Sequence, residues 1–538
     1  METDESSVAE TGNSNCMEES RKHPNPEGIG FCGNQPVPPN QPPEGKIFFS
    51  VVAPRLTAYL ENNHFIDTMV QKAGIPGFSG CLEHVSIIWN QIQTAKKDGR
   101  DLHVVFLDLA FHYFSVPEVI TRRVKSYFQD LQLCLTTDEC NTAWQRVEIG
   151  IMAGCTISPL AFTMAMEVII RASRWVVGGQ KLKAGLRLPP IRAYMDDMTI
   201  LTTTKVCARR LLNKLQENIQ WARMEIKPSK SRSISFVKGK LSEQRFYVGK
   251  EPIPTVAEKP VKSLGRWYYD TLKDTEQVDQ LKKDTICGLE SINKTKLPGT
   301  LKLWSLQFGL IPRLMWPLTI YEVPISKVEK LERVVSSFAK KCLGLPRCFT
   351  NTRLYGRGIL EIPVSSPVEE FKRSKIRLEM TLTESRDPCV SGTAPTLVTG
   401  RKWNPAAASH QAKTDLRHRD IIGNVQQGRG GLGLGDSRPS WPRAAPDQRR
   451  RLVVEEVRRH EQATRCLKAI SQAKQGQWTR WEGVERRKLS WRELMGMEAF
   501  HISFILRATY NVLPSTSNLN QWYGEDPTCP LCPSPANL

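Results

Sequence analysis

The sequence predicts an α+β fold, in which antiparallel strands that carry acidic residues are combined with many helices. Leu102–Leu109 reads as a buried strand that contains Asp108 at its end, and Leu188–Thr202 reads as a hairpin with Asp196 and Asp197 at its tip. Elsewhere, apolar residues recur at helical spacing. The predicted helices cover residues 82–97, 117–133, 158–175, 206–224 and much of 272–345.

The first 43 residues differ in composition from the rest of the chain. They include a stretch rich in Pro, Asn and Gly, from Pro36 to Pro43, and few apolar residues recur there, so we predict that residues 1–43 are disordered. Helical spacing of apolar residues begins after Glu44, and a glycine-rich loop follows at residues 71–80. We therefore expect the ordered region to begin at residue 44.

The remaining boundaries follow changes in periodicity and composition. Strands and helices alternate over residues 44–265, and residues 266–385 are predicted to be helical, with one apolar stripe that indicates core packing. Residues 386–445 are rich in Gly, Pro, Ser and Arg, which predicts a linker with short ordered pieces. Residues 446–538 form a basic C-terminal region with several Trp residues.

Charge and cysteine usage narrow the classes of partner and compartment. The 538 residues carry a formal net charge of +20, which favours a polyanionic partner, nucleic acid first of all. No run approaches ~18 apolar residues and no signal-peptide pattern opens the chain, so we expect no membrane partner. The fourteen cysteines lack the spacing of a disulfide framework. We expect an intracellular protein, nuclear or cytoplasmic and not secreted, without an evident protein partner.

The adjacent carboxylates Asp196 and Asp197 carry the strongest chemical signal. Side-by-side carboxylates repel each other unless a cation neutralises them, and Mg²⁺ prefers carboxylate oxygens. A metal held there can clamp a phosphoryl group during its transfer. The alternative is that Asp-Asp only forms the turn, which the bare dipeptide favours. The surrounding sequence has to decide between the two.

Several sequence blocks follow one another around this hairpin. They read EGKIFFS at 44–50, QKAGIPGFSG at 71–80, VFLDL at 105–109, GIMAGCTISPLAF at 150–162, YMDD at 194–197, KPSK at 227–230 and VKSLG at 261–265. In this order they resemble the reverse transcriptase of non-LTR (LINE-type) retrotransposons. The resemblance is to the site-specific elements whose single polyprotein ends in a zinc knuckle and a restriction-like endonuclease. It extends from Glu44 to the C-terminus and indicates a fragmentary copy.

The resemblance implies a right-hand polymerase fold and its activity. Residues 44–265 would form the fingers and the palm with its antiparallel sheet, and residues 266–385 a helical thumb. The implied activity is RNA-directed DNA polymerisation, in which a primer 3′-hydroxyl attacks a dNTP with the help of two Mg²⁺ (or Mn²⁺) ions. The implied partners are an RNA template, a DNA primer or target, and dNTPs.

The resemblance also implies roles for individual residues. Asp108 and Asp196 would bind both metals, and Asp197 would support the site with less direct coordination. Gly150 and Gly154 would let the backbone approach the nucleotide, because neither carries a Cβ. The residues implied to contact substrate or template are Tyr113, Gly150, Gly154, Ser158, Tyr194, Lys230, Leu264 and Gly265.

Simpler structural roles remain open for some of these residues. Asp108 alone could end a strand or cap a helix, and its pairing with Asp196 rests on the resemblance. Gly154 and Ser158 could form an ordinary turn before a helix that Ser158 caps. Lys230 could be solvated surface charge as readily as a contact to the triphosphate or a proton donor to pyrophosphate.

The segment after Asp108 departs from the family pattern and has two interpretations. A gapless reading puts His112 where the family has Ala, and Tyr113 at the aromatic position under the sugar. We favour a deletion after Ala110, because the interval from Asp108 to Gly150 is shorter than in these enzymes. A palm helix would then be missing, and the sheet face beneath it would be exposed at a cost of ~25 cal/mol per Å² of apolar surface.

Further departures concern both ends of the resemblance. Ala153 replaces a common Gln, and a basic segment expected before Glu44 is absent. Cys529 and Cys532 have zinc-ligand spacing, but the His and last Cys of a knuckle do not follow them. Because a structural zinc site needs four ligands, we predict no stable zinc site. We also expect no endonuclease in this sequence.

Two hypotheses from different classes follow. In the first, the chain is an RNA-directed DNA polymerase by ancestry that still catalyses nucleotidyl transfer. In the second, it is a catalytically inactive retrotransposon remnant that at most binds RNA or DNA through its basic surface. The ordered motifs favour the first for ancestry, and the departures favour the second for present activity.

Overall fold

The structure, a computed structural model, describes most of the chain and divides it into two compact units. Met1–Leu272 with Thr383–Pro395 form the first unit, and Lys273–Leu382 with Thr396–Leu538 form the second. The described residues are 19–22, 43–110, 132–135, 145–146, 158–182, 185–356, 360–393, 396–422, 425–428, 431–434, 441, 443–472, 487–529 and 532–535.

The first unit alternates strands and helices, as predicted for residues 44–265. Up to Leu272 its elements are β1 (Glu19–Lys22), α1 (Pro43–Asn62), α2 (Gly80–Asp98), β2 (Leu102–Leu107), β3 (Leu109–Ala110), β4 (Gln132–Leu135), β5 (Gln145–Arg146), α3 (Ser158–Arg174), β6 (Gln180–Lys181), β7 (Arg187–Leu188), β8 (Ile191–Tyr194), β9 (Asp197–Thr202), α4 (Lys205–Trp221), β10 (Glu225–Ile226), β11 (Arg232–Val237), β12 (Lys240–Leu241), β13 (Phe246–Val248), β14 (Glu251–Ile253), β15 (Val261–Ser263) and β16 (Arg266–Tyr268).

A five-stranded antiparallel sheet forms the core of this unit, with strand order β12-β11-β2-β9-β8. The central strand β2 is buried along its whole length. On one face, Val105 and Leu107 share an apolar cluster with residues of α3 and α4. On the other face, Phe106 packs against Tyr268, with ring centroids 4.9 Å apart. The sheet is therefore covered on both sides where it carries Asp108.

A deletion after Ala110 was expected to leave a face of the sheet exposed. The burial of β2 shows that this expectation is wrong for the central strand. No residue of β2 is left exposed, because α3 and α4 cover one face and side chains such as Tyr268 cover the other. The segment on which the two interpretations differ, residues 111–131 with His112 and Tyr113, lies outside the described residues.

Strand pairing also changes two local predictions. The helix predicted over 117–133 is wrong at its end, because Gln132–Leu135 pairs with β5 on one side and β1 on the other. Backbone pairing between strands here overrides the helical periodicity of the side chains. The partner β1 lies within the segment predicted to be disordered, most of which is outside the described residues.

The second unit is mainly helical. Together with α11, which belongs to the first unit, the remaining elements are α5 (Thr275–Lys294), α6 (Gly299–Ser305), a π-helical turn (Leu306–Leu310), α7 (Ile311–Ile320), α8 (Ile325–Cys342), α9 (Asn351–Tyr355), β17 (Leu360–Glu361), α10 (Pro367–Thr383), α11 (Pro388–Thr393), α12 (Pro405–Ile422), β18 (Val425–Gly428), β19 (Gly431–Leu434), α13 (Pro446–Ile470), β20 (Arg487–Lys488), α14 (Trp491–Gly496), α15 (Ala499–Thr509), α16 (Thr516–Tyr523), β21 (Thr528–Cys529) and β22 (Cys532–Pro535).

The apolar stripe predicted in the thumb region packs into a core. Val328, Leu331 and Val335 of α8 are buried, and Phe338 and Cys342 pack against the same cluster. That cluster also contains buried residues of α14 and α15 from the basic C-terminal region. The regions predicted as 266–385 and 446–538 therefore share one core instead of forming separate parts.

The predicted linker over 386–445 contains more structure than short pieces. Its 18-residue helix α12 places Ala412 and Leu416 in an apolar cluster with Val453 and Val457 of α13. Composition missed this helix because its apolar face is formed mostly by small residues, so its periodicity is weak.

Among the described residues, no helix combines the length and the apolar character needed to span a membrane.

Candidate active site

A tight turn presents the two acidic residues predicted at the hairpin tip. Tyr194 pairs with Asp197 across the hairpin, so Met195 and Asp196 form a two-residue turn. Met195 has φ +56°, a left-handed conformation of the kind that such turns require. The backbone N–H of Met195 donates to Oε1 of Gln71 at 3.0 Å. The turn therefore leaves Asp196 exposed and Asp197 half-buried at the start of β9.

Strand register brings Asp108 beside this hairpin. Leu107 at the end of β2 is the partner of Met198 in β9, so the next residue, Asp108, lies next to the acidic pair. Two backbone contacts fix its direction: its N–H donates to Oγ of Ser231 at 3.2 Å, and its carbonyl accepts from the N–H of Lys227 at 3.0 Å. The basic turn that follows β10 thus holds Asp108 in place.

The three carboxylates influence one another electrostatically. Burial, followed by the charges of Asp196 and Asp108, raises the pKa of Asp197 to about 6. Partial desolvation of the carboxyl group and the charge of Asp108 also raise the pKa of Asp196. Like charges that raise each other's pKa are stabilised by a cation between them. A cation bound between the three carboxylates would relieve this repulsion.

The donor set fits a hard divalent cation. Its oxygens come from three carboxylates, which Mg²⁺ prefers. Nζ of Lys230 lies 3.9 Å from Oδ2 of Asp108. Among the described residues, only Asp415, Glu456 and His460 have their ligand atoms all within 4.8 Å of one another. The ligand oxygens of Asp108, Asp196 and Asp197 are therefore not all within 4.8 Å of one another.

Some of the other predicted site residues lie within the part of the chain that the structure describes. Tyr194 packs against Gly80, where an added Cβ would be only 2.8 Å from the ring and where φ is +38°. Leu264 and Gly265 form the turn between β15 and β16 with φ of +46° and +81°. Ser158 begins α3 and is buried. Gly150, Ala153, Gly154 and Tyr113 lie outside the described residues.

The cysteine pair forms part of a small hairpin. Cys529 in β21 is the strand partner of Cys532 in β22. The pairing involves only these two cysteines, which are the two ligands of the incomplete zinc motif identified in the sequence.

A different group of ligating side chains lies between α12 and α13. Nε2 of His460 is 2.8 Å from Oδ2 of Asp415 and 3.3 Å from Oε1 of Glu456. Glu456 is buried and already pairs with Arg419 and Arg459. Because these guanidinium groups neutralise the glutamate, the cluster is explained as an ion-pair network that joins the two helices.

Sequence reasoning missed two residues that shape the active site. Gln71 binds the hairpin turn through its side chain, and Ser231 binds the backbone of Asp108. Both lie in segments that were noticed, the glycine-rich loop and the basic turn. The sequence did not indicate a role for their amide and hydroxyl groups, because those roles depend on partners more than 120 residues away in the sequence.

Sequence comparison relates part of this chain to reverse transcriptases. Residues 44–268 match the family model described as reverse transcriptase (RNA-dependent DNA polymerase). The chain is 21% identical, over 55% of its length, to the Pol polyprotein of the type-2 retrotransposable element R2DM of Drosophila melanogaster. It is also 21% identical, over 50% of its length, to that of the type-1 element R2 of Nasonia vitripennis.

The matches cover only part of these relatives. The chain spans 30% of the Drosophila polyprotein and 27% of the Nasonia one. A solved structure, telomerase from Candida albicans with a fragment of telomeric RNA, is similar over 65% of this chain and 53% of its own, at 9% identity and a TM-score of 0.29. That likeness is too weak to bear on the fold. The family match and both polyproteins identify residues 44–268 as a reverse transcriptase domain, by ancestry an RNA-directed DNA polymerase of non-LTR retrotransposons.

Proposed function

We propose that this domain is an active RNA-directed DNA polymerase, with divalent metal ions held by Asp108, Asp196 and Asp197. The observation that carries the proposal is the register of β2 and β9, which sets Asp108 beside the acidic hairpin. Burial of β2 on both faces further supports a palm that folds despite the altered segment after Ala110.

The residues of the palm have distinct parts in the proposed reaction. Metal ions bound to the three carboxylates would stabilise the negative charge that develops on the transferring phosphoryl group. Ser231 and Lys227 hold Asp108 in place through its backbone. Lys230 lies close enough to Asp108 to contact the triphosphate of a dNTP or to donate a proton to the leaving pyrophosphate.

Further contacts belong to the same proposal. Leu264 and Gly265 would hold the DNA primer at the turn between β15 and β16. The residues proposed to contact nucleotide or template are Tyr113, Gly150, Gly154, Ser158 and Tyr194. Both relatives are Pol polyproteins of R2 retrotransposable elements. The same proposal includes descent from the site-specific group whose polyprotein carries a zinc knuckle and an endonuclease, which rests on the sequence resemblance. An intracellular site of action would follow.

Primer extension tests the proposal. We expect the full chain to extend a DNA primer on an RNA template with Mg²⁺ or Mn²⁺, and Asp196→Asn to lower the rate by at least about a hundredfold, because the variant loses one metal-binding carboxylate. Asp447→Asn is the matched control, since that aspartate is 83% exposed and lies on α13. A folded wild-type chain that never extends the primer would contradict the proposal.

The alternative function is binding without catalysis. The net charge of +20 favours it independently of the palm, because phosphate contacts need only positive charge. A chain that binds RNA or DNA but extends no primer would be the inactive remnant of the second hypothesis.

A further inference from the structure

The segment Thr383–Pro395, here called the strap, belongs to the first unit, although the chain before and after it belongs to the second. Its described part, residues 383–393, includes the short helix α11. Its composition predicts the beginning of a linker. Two consecutive residues, Arg386 and Asp387, instead anchor it to the part of the first unit that carries the acidic hairpin.

Asp387 lies in the middle of a fully buried group of charges. Its Oδ2 is 2.7 Å from Nζ of Lys72 and 2.9 Å from Nη2 of Arg192, and these three side chains have no exposed surface. Its Oδ1 accepts a hydrogen bond from the N–H of Cys389 at 2.9 Å. Glu83 lies 3.5 Å from Lys72, so two anions balance two cations.

Both cations belong to segments that hold the catalytic hairpin. Arg192 is in β8, two residues before Tyr194. The N–H of Lys72 donates to the carbonyl of Ala193 at 3.2 Å, and the preceding residue, Gln71, accepts from the N–H of Met195. The carboxylate of Asp387 therefore ties together the two backbone segments that set the turn at Asp196.

The buried group depends on this carboxylate. Nε and Nη1 of Arg192 are buried without hydrogen-bond partners, and Asp387 is the acceptor for its Nη2. If Asp387 lost its charge, Lys72 and Arg192 would face each other in a buried region, with Glu83 as the remaining anion. Removing one partner of a buried ion pair is strongly destabilising for this reason.

Arg386 fixes the strap at a second point. Its guanidinium group donates to Oε1 of Glu61 at 2.5 Å and to the carbonyl of Pro76 at 3.2 Å, and it lies 5.2 Å from the ring of Phe78. These contacts are at the surface and reach α1 and the glycine-rich loop. The strap is thus held at the surface by Arg386 and in the interior by Asp387.

We infer that Asp387 is a positioning residue, which holds the hairpin so that Asp196 and Asp197 are directed toward the metal ions. The inference rests on the proposed function. By this inference the strap, which follows the proposed thumb in the sequence, helps to position residues of the proposed palm. Asp387 acts through Lys72 and Arg192 and touches neither substrate nor metal.

Hydrogen exchange of the full chain tests the positioning directly and needs no activity. In Asp387→Asn, we expect amides of residues 191–198 to exchange at least about tenfold faster, while amides of α4 keep their protection. Glu61→Gln, which removes a surface contact of the same strap, should leave the hairpin unchanged. Unchanged exchange at 191–198 in a folded Asp387→Asn chain would overturn the inference.

Mn²⁺ binding, followed by the electron paramagnetic resonance of the free ion, tests the consequence for the metal site. The Mn²⁺ binding that is lost in Asp196→Asn is assigned to the proposed metal site. In Asp387→Asn, the affinity of that site for Mn²⁺ should fall about three- to tenfold. Unchanged affinity would overturn the inference. If wild type and Asp196→Asn bind Mn²⁺ alike, the proposed function fails, and faster exchange then shows a positioned hairpin without a metal.

A conservative variant keeps the test valid if Asp387→Asn does not fold. Asp387→Glu retains the charge but moves the carboxylate by one methylene within a closed group. We expect it to fold, with faster exchange confined to residues 191–198 and weaker Mn²⁺ binding. A folded Asp387→Glu chain with wild-type exchange and wild-type Mn²⁺ affinity would count against the inference.

Discussion

At the residue scale, the palm contains charged and polar groups whose ionisation depends on their neighbours. Asp197 has a pKa raised to about 6 by burial and by the charges of Asp196 and Asp108. His84 on α2 is fully buried, and Oγ1 of Thr199 in β9 is 3.3 Å from its Nε2. The same unit therefore contains a carboxylate that is hard to ionise and a histidine that is hard to protonate.

The stability of the first unit should depend on pH through His84. Burial, followed by the charges of Arg192 and Lys72, lowers its pKa to about 3, against 6.5 for the free side chain. Between these values only the unfolded chain takes up the proton. The contribution of neutral His84 is therefore complete above pH 6.5 and is lost as the pH falls, at ~1.4 kcal/mol per pH unit.

Urea denaturation between pH 7 and pH 5 measures this effect. Wild type should lose free energy of unfolding more steeply than His84→Gln, which has no imidazole to protonate. Other titrating groups are the same in both chains, so the difference in slope isolates His84. Equal slopes would show that His84 can be protonated in the folded state.

At the scale of elements, the C-terminal helices help to build the core of the second unit. Leu506 on α15 is fully buried in the cluster that also contains Leu303 of α6 and Val335 of α8. Phe504 on the same helix is 58% exposed. One helix therefore offers a buried position and a surface position for comparison.

Leu506→Ala should destabilise the second unit by about 2–5 kcal/mol, because it leaves a cavity in a shared core. Phe504→Ala should change the free energy of unfolding by less than about 0.5 kcal/mol. Denaturant unfolding gives both values, and hydrogen exchange shows whether α8 loses protection together with α15. If α15 unfolds while α8 stays protected, the two regions do not share a cooperative core.

At the scale of the whole molecule, net charge governs encounter with nucleic acid. The excess of positive charge, +20, is spread over a chain of 538 residues. Contacts to phosphate release counterions, so affinity falls with salt whatever the sequence of the strand. This property is independent of the arrangement of the palm.

Binding to single-stranded RNA should weaken on the order of a hundredfold or more between 50 and 200 mM salt. Fluorescence anisotropy of a labelled strand measures the slope of affinity against salt. Asp196→Asn should keep the same slope, because it removes no positive charge. Affinity that hardly varies with salt would show that the basic residues do not contact phosphate.

The sequence by itself determined the ancestry of this protein. The motif Tyr194–Asp197 and the blocks around it are contiguous, so the hairpin, its two acids and the strand before Asp108 follow from local patterns. The helical stripe of α8 follows for the same reason, since its spacing is a local property. These features explain why the α+β fold class and the reverse transcriptase ancestry could be predicted.

Only the tertiary structure decided how these pieces are held. Gln71 and Ser231 support the hairpin and Asp108 across long stretches of chain, and Asp387 returns from beyond the thumb to neutralise Lys72 and Arg192. The physical reason is that a buried charge or an unpaired amide needs a partner, and that partner can lie anywhere in the sequence. Local composition therefore predicts a linker at the strap, although in the structure Asp387 attaches the strap to Lys72 and Arg192.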